Sequence, residues 1–205
     1  MTERPHRPAM FGPAAFATYE DSTRSGDPAL RLEAAHATAH ALVGGLRAGE
    51  GGPDGDQRLV RLADEHGLDA VAGLWSECAP DSLPGALWRL YALRAWIRSD
   101  PVGVAHLYEI GHRRAPVLAA VAGVADPPGP EEVKVLADTV LAGLVTGDLD
   151  VALDRAAAFC RIVAAGRAID ADDREPNAGF SAARLLRTGE QLQAAARAAR
   201  AGHLD

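Results

Sequence analysis

Nowhere along these 205 residues do apolar and polar side chains sustain the alternation of period two that a half-buried strand needs. Apolar residues instead recur three and four apart, in runs separated by "GEGGPDGD" (49–56), "APDSLPG" (79–85) and "ADPPGPEE" (125–132). Aromatic residues make up only 5% of the chain, so Ala, Leu and Val must fill the core. That composition suits closely packed helices better than sheets, which favour β-branched and aromatic residues. The expected fold is all-α: a single domain of about seven helices, orthogonal or bundle-like, behind an irregular N-terminal arm.

The arm covers residues 1–27, is rich in Pro, Gly, Ser and Thr, and carries Phe11, Phe16 and Tyr19. Such aromatic content is unusual for a solvated tail, so the arm is expected to be partly docked. The helical domain covers 28–205. Asp27-Pro28 opens its first helix, with an apolar stripe of Leu32, Ala35, Ala39, Leu42, Val43 and Leu46. A second helix is expected over 57–78, bent at Gly67. A third, over 83–98, is apolar almost all round and is expected to be the central, most buried helix. A fourth should run over 102–123 with a kink at Pro116.

Pro130, Glu131 and Glu132 open the fifth, whose seam is Val133, Leu136, Val140 and Leu144. A short turn leads to the sixth, with Leu149, Leu153, Ala156, Cys160 and Val163 inward, so that the two form an antiparallel hairpin. An acidic linker, 171–180, precedes a C-terminal docking helix over 181–202, capped by Ser181. Its stripe of Leu185, Leu192 and Ala199 is narrow and suited to another helix.

A net charge of −7, with arginines interleaved among acids, argues against nucleic acid as a partner. The opening "MTERPHRPAM" lacks the apolar stretch of a signal peptide, and "APVLAAVAGVA" (115–125) is too short to span a bilayer. No membrane partner is expected, and the protein is read as cytoplasmic. Its basic residues are almost all arginine, with Lys134 the one lysine, which points to a GC-rich bacterial genome. Cys78 and Cys160 are far apart in the chain, without metal-ligand spacing, and are expected to be reduced.

Two constellations carry the candidate chemistry. Glu33, His36 and His40 share one helix face, and Glu109 and His112 form a second Glu-x-x-His. Two such motifs on separate helices resemble the ferritin-like di-metal bundle, and on that resemblance these five residues are candidate metal ligands. They flank the apolar stripes of their helices, however, whereas bundle-core ligands face inward. No cofactor is therefore expected. "AHALVGGL" (39–46) resembles the histidine-phosphotransfer motif at His40, Leu42 and Gly44, but Val43 stands where a lysine would help neutralise phosphate. The turn in "LVTGDLDVALDRA" (144–156) resembles that of tetratricopeptide repeats, without their 34-residue period.

The second constellation is a candidate ligand pocket of Trp88, Tyr91, Arg94 and Tyr108. Arg94 falls among Leu83, Leu87, Leu90 and Ile97, where a guanidinium must snorkel, meet a carboxylate or bind an anion. No nucleophile elbow, phosphate loop, His-Glu-x-x-His or Cys-x-x-Cys motif occurs. The sequence thus favours a non-enzymatic helical protein, regulatory in character, whose partner is another protein or a second copy. A homodimer through the C-terminal helix is expected; the alternative is a domain that binds a small ligand or a metal.

Overall fold

In the computed structural model the described residues are 27–47, 73–114, 120–123, 130–146, 148–170 and 182–205. They form helices α1 (Pro28–Arg47), α2 (Leu83–Ser99), α3 (Pro101–His112), α4 (Pro130–Thr146), α5 (Leu149–Asp170) and α6 (Ala182–Arg200). Shorter helical pieces lie at 73–75 and 120–122, and no strand occurs among the described residues. The fold is all-α. No helix among the described residues is long and apolar enough to cross a membrane.

Local chemistry sets the starts. Asp27 accepts the Ala29 N–H through its carboxylate at 2.9 Å, ahead of Pro28. The Ser82 hydroxyl accepts from Gly85 N–H at 3.3 Å, and the Asp100 carboxylate from Gly103 N–H at 3.0 Å. A cap followed within two residues by proline satisfies an orphan amide and places the ring where no N–H is needed. Asp100 also ends α2, its own N–H donating to Trp96 O at 3.2 Å, so a single residue joins α2 to α3. Pro101 forces that corner, because the residue before proline is driven out of the helical region.

The centre of the molecule is α5, which packs against α2, α3, α4 and α6. Leu149, Leu153, Ala156, Cys160 and Val163 are all buried, as their spacing implied. Small residues let its neighbours come close. A Cβ on Gly166 would stand 1.9 Å from Leu107 O, and one on Gly111 would stand 1.9 Å from Ile162 O. Helices α3 and α5 therefore cross backbone to backbone, antiparallel. Helix α6 is antiparallel to α5 as well, with Gly189 against Ala157 and Arg200 reaching Asp150 and Asp154 at 3.0 and 2.6 Å.

At its end Gly202, with φ +71°, turns the chain: its N–H donates to Ala199 O and the His203 N–H to Ala198 O. That is a Schellman stop, for which glycine's tolerance of positive φ is needed. The turn brings Asp205 O within 2.7 Å of Leu83 N–H, so the end of the chain satisfies an orphan amide of α2.

Three expectations need correction. The central helix is α5 and not 83–98, because beyond its buried first turn α2 buries one face, through Leu87, Leu90, Leu93, Arg94 and Ile97, whereas α5 is packed by four helices. In α1, Leu32 is 51% exposed, and the buried face turns instead through Ala34, Ala35, Thr38, Ala39, Leu42 and Val43. Thr38 can be buried because its hydroxyl donates to the main chain one turn back and accepts from Trp75 Nε1 at 3.1 Å. The helix expected over 102–123 stops at His112 and turns at 113–114 before the helical piece at 120–122. The arm, residues 57–72 of the expected second helix, Pro116, the acidic linker and Ser181 lie outside the described residues.

Candidate functional site

Helix α2 has two unlike sides. At about 100° per residue its buried positions centre on Leu90 and Ile97, while Trp88, Tyr91, Ala92, Ala95 and Trp96 lie on the opposite arc. Trp88, Tyr91 and Trp96 are half-buried, and Ala95 is exposed. The Trp88 and Tyr91 rings are 6.1 Å apart at 34°. The other described aromatic residues, Trp75, Tyr108 and Phe159, are all buried. Among the described residues, partly open aromatic rings are thus confined to this arc of α2, where Trp88 and Trp96 also rest on the edge of the core. Arg89 edges it, its Nε donating to Gln191 at 2.8 Å and Nη1 to Gly85 O at 2.7 Å. Burial pulls this guanidinium down from its ordinary value, and nearby Asp81 opposes the shift. The three charged residues of α2 are all arginines.

Arg94 points the other way, into the core. Its Nε donates to Asp138 of α4 at 2.8 Å, and Arg98 approaches the same carboxylate at 3.3 Å. Beside it a cavity of about 10 Å³ is lined chiefly by Leu90, Leu93, Leu136 and Phe159, room for about one water molecule. Small-molecule pockets run to several hundred cubic ångströms. The candidate pocket residues therefore fall in three places: Trp88 with Tyr91 outward, Arg94 on Asp138, and Tyr108 elsewhere.

Tyr108 lies between α3 and α5, stacked on Phe159 at 5.4 Å and on His112 at 6.0 Å. Its hydroxyl is buried without a hydrogen-bond partner among the described residues, and burial pushes its pKa up to about 12. His112 Nδ1 is 2.9 Å from Glu109 O. A carbonyl can only accept, so Nδ1 carries the proton, and in the neutral ring Nε2 is left as an acceptor.

The candidate metal ligands also separate. Glu33 and His40 are exposed and His36 is half-buried on α1, a helix that packs on α2 and α4. Glu109 is tied to Arg113 at 2.6 Å on α3, which packs on α5 and α4. Among the described residues no group of three His, Cys, Asp or Glu side chains is placed to hold a metal ion.

Sequence reasoning missed Asp138 as the partner of Arg94, because helical periodicity says nothing about which helix lies opposite. It also missed the outward face of α2, although the signal is visible: apolar positions all round a helix fit a covered surface as well as a central position. Leu185 and Leu192 of α6 are buried against the same chain, leaving Leu186 at 45% as that helix's exposed large apolar residue. Compared with models of known families, with curated proteins and with solved structures, the chain matches none.

Proposed function

We propose that this is a non-catalytic helical protein that acts by contact with another protein, a second copy included, through the outward face of α2. The observation behind this reading is the placement of Trp88, Tyr91 and Trp96, half-buried on the arc of α2 away from Leu90 and Ile97, with Trp88 and Trp96 resting on the edge of the core. Trp, Tyr and Arg are the residues enriched at the energetic centres of interfaces, and partly open aromatic surface is costly to keep without a use. The unpaired, buried thiols of Cys78 and Cys160 support a reducing, cytoplasmic setting.

The test is to replace Ala92, in the middle of the face, by benzoylphenylalanine and irradiate cells that produce the protein. Val135, 63% exposed on α4, is the control position. A discrete adduct from position 92 and none from 135 is expected, with twice the 21.4 kDa chain mass if the partner is a second copy. No adduct from 92, or equal adducts from both, overturns the reading.

A second reading, a small-ligand site, is favoured by the Tyr108 hydroxyl. A buried group left unsatisfied costs about 1–3 kcal/mol, which a bound polar molecule would offset. Phe159 and His112, the two rings stacked with Tyr108, would then flank such a molecule.

A further inference from the structure

We propose that residues 203–205 form a latch on the first turn of α2, swinging about Gly202 between shut and open while the helices stay packed. The latch is separate from the outward arc of α2 and operates whether or not that arc meets a partner. Both sides of the contact lead to it.

On the receiving side, local bonding at the start of α2 leaves one amide over. Pro84 has no N–H, the Gly85 N–H donates to the Ser82 hydroxyl, and the Ala86 N–H donates to Ser82 O at 2.9 Å. The Leu83 N–H is met instead by Asp205 O at 2.7 Å. On the moving side, the segment is held by little. Ala201, Gly202, His203 and Asp205 are exposed, and Leu204 is half-buried against the core. The post from which it springs is firm. Arg200 is fixed to Asp150 and Asp154 of α5, and Gln191 accepts from Arg89 of α2 at 2.8 Å, so α6 keeps its place when 203–205 lift away. Between post and segment stands Gly202, with φ +71° and open space around the position of a Cβ. A weakly held segment on a firm post opens locally, at far lower cost than the core. Shut, it ties α6 to the start of α2; open, it leaves the Leu83 amide to solvent while the Ser82 cap stays in place.

Amide hydrogen exchange of the full chain, followed residue by residue by NMR, tests this. Ile162 and Val163, fully buried in α5, report on opening of the core. Leu83 should exchange about 100-fold faster than either, or more, because the latch opens without them. Leu204→Ser removes the apolar contact and should speed Leu83 by about tenfold, as a half-buried leucine implies, with Ile162 and Val163 unchanged. Gly202→Ala, strained at positive φ in the shut state, should speed Leu83 by about fivefold or more. His203→Gln, at an exposed position of the same segment, should leave all three rates within about twofold. Leu83 exchanging no faster than Ile162 and Val163 overturns the proposal, since the segment would then open only with the whole fold. Leu204→Ser that leaves Leu83 unchanged, or that speeds the α5 amides equally, overturns it too. So does Gly202→Ala without effect on Leu83, or His203→Gln with as large an effect as Leu204→Ser.

Discussion

Gly166→Ala adds a single methyl group at the α3–α5 crossing, and its effect follows from the geometry there. The new Cβ would lie 1.9 Å from Leu107 O, 2.8 Å from Leu107 C and 3.1 Å from Gly111 N. All three are backbone atoms, so no side-chain rotation relieves the clash. Restoring ordinary contact requires α3 to retreat by about 1.5 Å, when a gap of 0.5–1 Å already forfeits a quarter to a half of a dispersion contact. Overpacking costs about 1–3 kcal/mol in a core that can adjust, and this site is at or beyond the upper end. Alanine's better helix propensity returns about 1 kcal/mol. The expected net loss is about 2–4 kcal/mol, a fall in Tm of about 5–15 °C for a chain of this length. Gly44→Ala is the companion: nothing lies within 4 Å of its Cβ in α1, so it should stabilise by about 0.5–1 kcal/mol. Urea unfolding followed at 222 nm measures both. If Gly166→Ala is as stable as the unmodified chain, α3 and α5 do not meet there and α5 is not the centre of the fold.

Tyr108→Phe keeps the stack on Phe159 and removes the orphan hydroxyl, so it should raise stability by about 1–3 kcal/mol; a loss of stability would show the hydroxyl to be engaged and favour the ligand reading. Burial lifts Tyr108 from 10.0 to about 12 and the Cys160 thiol from 9.0 to about 12. Folding thus favours the protonated forms, so stability present below pH 9 should fall as pH rises towards 12, and Tyr108→Phe/Cys160→Ala should flatten the decline. Asp138→Ala removes the carboxylate to which the buried Arg94 Nε donates and should cost about 2–3 kcal/mol in chemical denaturation, more than Arg98→Ala on the exposed side of the same carboxylate. Trp88→Gln/Trp96→Gln should cost less than Leu90→Ala, for which a cavity loss of about 2–5 kcal/mol is expected. Should the tryptophan pair cost more in thermal unfolding, these rings are core and not contact surface.

What could be read from the sequence was local. Asp27-Pro28, Ser82, Asp100-Pro101 and Pro130-Glu131-Glu132 announce helix starts because caps and first-turn prolines act within three residues. The inward positions of α5 follow from spacing alone, since one period fixes one face. Thr38 is polar and so falls outside an apolar stripe, yet its hydroxyl is satisfied within its own helix and by Trp75, 37 residues further along the chain. A period identifies a face but not its occupant, so neither the Gly111–Gly166 crossing nor the Arg94–Asp138 pair could be assigned to partners.

The candidate site was hidden by the same ambiguity at a larger scale. A helix apolar on every side is either surrounded by its own chain or covered by something that arrives later, and composition does not distinguish the two. The distinction lies in α5. Its alanines and Gly166 draw α3 and α6 in to backbone contact, which leaves no room for indole rings at those seams. Leu87, Leu90, Leu93 and Ile97 already close α2 against the rest of the fold from one side. Trp88 and Trp96 therefore pack only against the edge of that core and stay half-buried, as expected of large rings beside a fold centred on small residues. Large rings kept at the edge of such a core are better explained by what they meet than by what they support.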